Sequence, residues 1–248
     1  MISKQQLSFV RSLHQKKYRQ MYGKFLVEGD KLVRELLASS FKVDAIFKTA
    51  SWDFNIQRDK IEVIEVSEED LRKISTQENP NQVLAVAHLP ELNTSILSKA
   101  LPNDLYLACD NLSDPGNAGT IIRTADWFGV GHIFFSQNSV DVFNPKVVSA
   151  AKGSLFRVAC HYVDLKEVFN RNPGLVVYGA YMDGISIYKN PLTKHAMLVI
   201  GNEANGISGE LIPFITQRIS IPNFGYAESL NAAVAAGIIL GEFRRGVE

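Results

Sequence analysis

Residues 105–136 read LYLACDNLSDPGNAGTIIRTADWFGVGHIFFS. Leu105–Cys109 and His132–Ser136 are continuous apolar runs, the pattern of strands buried on both faces. Between them lies a loop of Asn, Asp, Pro and Gly, and then a helix expected over 118–128. Asn117 is a good N-cap for that helix. Arg123 follows within two turns and can reach back toward the loop. By composition alone this is also an ordinary strand–turn–helix with a surface arginine.

Outward from this stretch the alternation continues. Further strands are expected at 156–161, 176–180, 197–200 and 219–221, and helices at 165–170 and 229–243. Apolar strands separated by helices predict an α/β fold with a mostly parallel sheet covered on both faces. Such sheets bind ligands beyond the carboxyl ends of their strands. Upstream, a smaller α/β unit is expected, with helical spacing through Leu7, Val10 and Leu13 and through Leu32, Leu36 and Leu37. Short strands follow near 43–47, 61–66 and 83–87, with Ser67 capping a helix whose first turn is acidic. The expected domains are 1–92 and 105–248, joined by a linker at 93–104 that holds Asn93, Thr94, Ser95 and Pro102, with a short helical turn possible at Ile96 and Leu97.

The 248 residues are 46% apolar and carry 26 basic and 26 acidic side chains, so the overall balance selects no partner. The distribution is more informative. Residues 1–25 carry Lys4, Arg11, Lys16, Lys17, Arg19 and Lys24 with no acid. This is either a phosphate-binding footprint or a solvated helix face. Cys109 and Cys160 lie in apolar runs and are expected as reduced, buried thiols. His14, His88, His132, His161 and His195 are scattered, so no metal site is expected. The most apolar stretch, Ala232–Phe243, is too short to span a bilayer, and no apolar segment follows the basic start as in a signal peptide. A cytoplasmic protein without a membrane partner is expected.

A dinucleotide fingerprint, a phosphate loop and a hydrolase nucleophile elbow are all absent from the sequence. Two further strand-following segments remain. One is Gly201-Asn202-Glu203-Ala204-Asn205-Gly206, a tight turn with a carboxylate, readable as a ligand loop or as an ordinary β-to-α loop. The other is Ile221-Pro222-Asn223-Phe224-Gly225-Tyr226-Ala227-Glu228-Ser229-Leu230-Asn231, leading into a run of alanines. Ser229 is the expected N-cap of this last helix, with Asn231 in its first turn.

Taken together, the three segments resemble the signature motifs of the SpoU (TrmH-like) RNA methyltransferases of the SPOUT superfamily. Asn117, Gly119 and Arg123 match the first motif. Gly201, Glu203 and Gly206 match the second, and Ile221, Pro222, Gly225, Ser229, Leu230 and Asn231 the third. The stretch Lys24-Phe25-Leu26-Val27-Glu28-Gly29 is similar to the small, ribosomal-protein-like substrate-binding domain that often precedes this fold. Asn223-Phe224 departs from the family, which commonly has Met there, and Ala233 stands where Ser is frequent.

The resemblance implies a C-terminal domain with a trefoil knot, a homodimer and S-adenosylmethionine as cofactor. The implied reaction is methyl transfer to a ribose 2′-hydroxyl of RNA, with ribosomal RNA preferred over transfer RNA. It implies catalytic or positioning roles for Arg123, Asn117, Glu203, Ser229 and Asn231, and cofactor contacts for Gly201, Ile221 and Leu230. By the same resemblance, Arg123 would act at the 2′-hydroxyl, as a base or as an electrostatic stabiliser. The first domain would select the RNA through Lys16, Lys17 and Arg19. The alternatives are a non-catalytic RNA-binding protein on the same scaffold and a small-molecule enzyme with a nucleotide cofactor.

Overall fold

A computed structural model of the chain describes residues 2–55, 61–91, 101–102, 104–189 and 191–245. Most of the expected linker 93–104, including Ile96 and Leu97, lies outside the described residues. The chain forms two compact units, Met1–Glu91 with Asp141–Phe156, and Leu92–Val140 with Arg157–Glu248.

In the first unit, β1 (Lys24–Glu28), β2 (Val43–Lys48), β3 (Glu62–Glu65) and β4 (Val83–His88) form a sheet of order β1-β4-β2-β3. Helix α1 (Lys4–Ser12) opens with a capping box in which Ser3 and Gln6 satisfy each other's backbone N–H. It is followed by α2 (Lys16–Tyr22), α3 (Asp30–Ala38) and α4 (Glu68–Ile74), the last capped by Ser67 as expected. Val10, Leu13, Leu26, Phe47, Leu71, Ile74, Leu84 and Val86 form one buried cluster.

The segment Asp141–Phe156 was expected within the second domain but belongs to this first unit. Phe143 packs on Phe25 with ring centroids 4.8 Å apart, and Phe156 on Phe41 at 5.4 Å. Asp141 is ion-paired to Arg19. Helix α5 (Pro115–Trp127) precedes this segment, and α6 (Pro145–Ala151) lies within it. A partner chosen by side-chain packing cannot be read from local pattern.

The second unit is built on β5 (Leu105–Cys109), β6 (His132–Ser136), β7 (Ala159–Val163), β8 (Val176–Ser186), β9 (Ala196–Ile200) and β10 (Gln217–Ser220). Their order is β10-β8-β9-β5-β6-β7, and every pairing is parallel. Every residue of β5 and of β9 is buried. From β5 the chain moves outward to β6 and β7, then crosses back to lay β8, β9 and β10 on the other side. The order therefore reverses between β5 and β9, and a crevice at such a switch point is where an open parallel sheet binds ligands. Cys109 pairs in register with Ile200, so the loops leaving these two strands start side by side.

Two strand expectations need correction. The strand expected at 156–161 is present but shifted, running Ala159–Val163, because Ser154–Phe156 forms a single helical turn before it. Strand β8 runs six residues beyond the expected Ala180 because its outer half pairs with β10 through a bulge. Gly184 makes this possible, since a Cβ there would lie 2.5 Å from the Ile219 carbonyl carbon. Helices α7 (Leu165–Arg171) and α8 (Ala232–Phe243) complete the unit. Helix α8 packs along α5, and Arg244 donates from Nε to the Phe128 carbonyl at 2.7 Å.

Candidate active site

Three loops meet beyond the carboxyl ends of β5 and β9. Helix α5 begins earlier than expected. Its N-cap is Asp114, whose carboxylate accepts from the Asn117 N–H at 2.7 Å, with Pro115 at N1. Proline suits N1 because its fixed φ is helical and its missing N–H would be unpaired there anyway. Asn117 is therefore not the cap, and its side chain is free for another use.

That use is a hydrogen-bonded chain linking the three segments. Asn117 donates from Nδ2 to Glu203 Oε1 at 2.9 Å, and its Oδ1 accepts from Asn231 Nδ2 at 2.7 Å. Asn231 Oδ1 accepts from the N–H groups of Ala233 (2.9 Å) and Val234 (3.3 Å). Asn231 is thus the N-cap of α8, not Ser229 as expected. An ionised carboxylate can only accept, so it fixes the direction of the whole chain. Asn117 must turn its amino group to Glu203 and its carbonyl to Asn231. Asn231 must then turn its own carbonyl to the helix. Each amide uses both ends, so a flip would break two bonds at Asn117 and three at Asn231.

Glu203 also accepts from Ser113 Oγ (3.0 Å), the Ser113 N–H (3.3 Å) and the Asp114 N–H (3.2 Å). Burial alone would raise its pKa. The bonds from Asn117 and from the backbone outweigh that and hold it below the ordinary glutamate value of 4.5. Between the lowered folded value and 4.5 the unfolded chain binds more protons, so stability rises with pH. The contribution of Glu203 is complete above 4.5 and is lost as pH falls through the folded value. Glu203→Gln should remove this acid sensitivity. A midpoint-against-pH curve for the variant that still parallels the wild type would refute the assignment.

Two positioning residues were missed by sequence reading. Asp110 is 2% exposed and accepts from the Ser208 N–H at 2.7 Å and from Asn111 Nδ2 at 3.0 Å. Asn202 donates from Nδ2 to the Asn111 carbonyl at 2.8 Å, and its Oδ1 accepts from Ala204 and Asn205. These bonds tie the β5 loop to the β9 loop. The available signal was a polar pair directly following a buried strand, with Asn111 at φ 52°, a conformation asparagine tolerates. At Gly201 a Cβ would lie 2.2 Å from the Gly206 carbonyl carbon, so the turn admits only glycine.

The remaining expected residues are placed differently. Arg123 is exposed on α5 and has no hydrogen bond or ion pair to a described residue, the loop included. Thr120 and Trp127 share its face, and Trp127 is 84% exposed. Ser229 is exposed and makes no hydrogen bond to a described residue. Ile221 is half-buried just after β10, and Leu230 is 48% exposed. Ser208 Oγ is buried without a partner among the described residues. Apolar Ile221 and Leu230, a spare buried hydroxyl and close-approaching backbone at Gly201 suit a nucleoside-bearing ligand. No group of three or more His, Cys, Asp or Glu among the described residues is placed to hold a metal.

The first-unit residues divide. Lys16 and Lys17 are exposed. Arg19 is 2% exposed and fully engaged, donating to Asp141 Oδ2 from Nε (3.0 Å) and Nη2 (2.6 Å) and to the carbonyls of Leu13 and His14 (2.9 Å each). Its expected RNA contact is therefore corrected to a structural role.

Comparison with known proteins gives a consistent result. Residues 104–241 match the SpoU rRNA Methylase family, and residues 4–85 match an MRM3-like substrate binding domain. The chain is 33% identical to the 23S rRNA (guanosine(2553)-2′-O)-methyltransferase RlmP of Bacillus subtilis, over 94% of each chain. A TrmH-family protein from Porphyromonas gingivalis superposes with a TM-score of 0.88 at 40% identity, over 99% of each chain. An AdoMet-bound rRNA methyltransferase from Sinorhizobium meliloti superposes with a TM-score of 0.86 at 28% identity, over 100% of this chain and 98% of the other.

Proposed function

Because the chain belongs to the SpoU rRNA methylase family, we propose that it transfers a methyl group from S-adenosylmethionine to a ribose 2′-hydroxyl of ribosomal RNA. The observation that carries this reading is the Glu203–Asn117–Asn231 chain, which joins all three motif segments at the sheet's switch point. Gly201, Ile221 and Leu230 would hold the cofactor. When bound, S-adenosylmethionine supplies a methyl on a good leaving group, so the site needs little acid catalysis.

The protein's task is to orient a weakly acidic hydroxyl and stabilise the negative charge that develops on it. Arg123 is the group for this. With five N–H donors and no acceptor, its guanidinium serves as an electrostatic stabiliser and phosphate anchor. It has no acid partner among the described residues to neutralise it. Asn117, Glu203 and Asn231 act as positioning residues that hold the three loops in register, with Ser229 available to the substrate.

Lys16 and Lys17 contact RNA phosphates. The knotted path and the homodimer belong to the same reading. The dimer is supported by apolar side chains left exposed on α5 and α8, Trp127 and Val234. The protein works in the cytoplasm, beside its RNA.

The test is methyl transfer from labelled S-adenosylmethionine into total RNA of a strain lacking this gene, followed by nucleoside analysis. Label in a 2′-O-methyl nucleoside of ribosomal RNA is expected. Label in transfer RNA would keep the chemistry and change the substrate, and no label with no cofactor binding would overturn the reading.

A further inference from the structure

Helix α2 of the first unit carries two tyrosines, Tyr18 and Tyr22, outside the buried cluster, whereas Phe9 of α1 packs against it. Tyr18 and Tyr22 stack with ring centroids 6.2 Å apart and planes 15° from parallel. Phe9 meets Tyr22 edge-on at 5.1 Å. Tyr22 is 42% exposed and its neighbour Met21 69%. Cations border the rings, with Lys17 Nζ 5.8 Å from the Tyr18 centroid and Lys24 Nζ 5.4 Å from that of Phe9. Positions 17 and 21, and 18 and 22, are helical neighbours, so Lys17–Met21 and Tyr18–Tyr22 form two adjacent rows.

Charge narrows what this surface can take. The segment has no acidic residue through position 25. Arg19 is internal and Lys24 is paired with Asp44, which leaves Lys4, Arg11, Lys16 and Lys17 as the exposed cations. Flat apolar rings beside lysines that pair with no acid among the described residues suit a ligand with a π-face on an anionic backbone. An unpaired nucleotide has that form, whereas a duplex hides its base faces in the stack.

We propose that Tyr18, Met21 and Tyr22 form a stacking platform for an unpaired nucleotide of the RNA substrate, with Lys16 and Lys17 at its phosphates. This rests on the methyltransferase reading and sharpens it, because the first unit then recognises single-stranded rather than duplex RNA.

The test uses the full chain with two probes, a short single-stranded RNA carrying 2-aminopurine and the same strand in a duplex. Wild type should bind the single strand more tightly and quench its fluorescence. Tyr22→Ala should weaken that binding about five- to a hundredfold, the span associated with losing one base stack, and abolish the quench. Tyr22→Phe should restore both, and the duplex affinity should not change. Equal weakening on both probes, or an alanine variant indistinguishable from wild type, overturns the platform. In that case continued methyl transfer into total RNA would leave the enzymatic reading intact, whereas failure of wild type to bind or methylate any RNA would overturn both.

Discussion

Arg123→Ala is expected to lower methyl transfer about 10²- to 10³-fold, the loss typical of removing one electrostatic donor from developing charge. Cofactor affinity should barely move, because Arg123 makes no hydrogen bond to the residues assigned to the cofactor. Folding should also be unaffected. The side chain is exposed and bonds to no described residue, and such surface substitutions change stability by about 0.5 kcal/mol or less. The kinetic pattern separates two versions of the role. A fall in kcat with KM unchanged places the guanidinium in the transition state, whereas a rise in KM alone makes it a binding contact. Arg123→Lys tests the geometry, since an ammonium keeps the charge but loses the planar fork. Full turnover in the alanine variant would remove Arg123 from the chemistry.

The second large effect is on folding. Arg19→Ala is expected to destabilise the first unit by about 3–5 kcal/mol, the cost of breaking a buried ion pair from one side. The substitution leaves Asp141 Oδ2 and the carbonyls of Leu13 and His14 without the guanidinium that donates to them. Lysine should rescue poorly, because one ammonium cannot reproduce the fork that serves three acceptors. The two tryptophans make the measurement specific. Trp52, in the first unit, is 1% exposed, and Trp127, in the second, is 84% exposed. A fluorescence shift on urea unfolding therefore reports mainly on Trp52. An unchanged midpoint, with RNA binding lost, would return Arg19 to the RNA surface.

Arg19 also shows where charge pattern misleads. Beside Lys16 and Lys17 it reads as one more surface cation. What separates it is Asp141, 122 residues away, an acceptor that no local window contains. The helix caps were ambiguous for a related reason. Asp114 and Asn117 are both competent caps for α5, as are Ser229 and Asn231 for α8. Local propensity cannot rank them, and the choice decides which asparagines remain free to bond across the site. Among the strands, β5, β6 and β9 were legible to within one residue because central parallel strands are apolar on both faces. Strand β7 is at the sheet edge and only half-buried over most of its length, and its limits were misplaced.

The sequence by itself determined the alternation of strands and helices, the parallel sheet, and the polar, glycine-bearing loops that follow its strands. Those are set by local periodicity and by residue types whose backbone preferences act within a few positions. The tertiary structure alone decided that Glu203, Asn117 and Asn231 form one directed chain, that Asp110 and Asn202 bind the two loops together, and that Arg19 is internal while Arg123 is exposed. The physical reason is that each of these outcomes depends on which acceptor faces which donor once distant strands lie in register, and that pairing is fixed by packing rather than by neighbours in sequence.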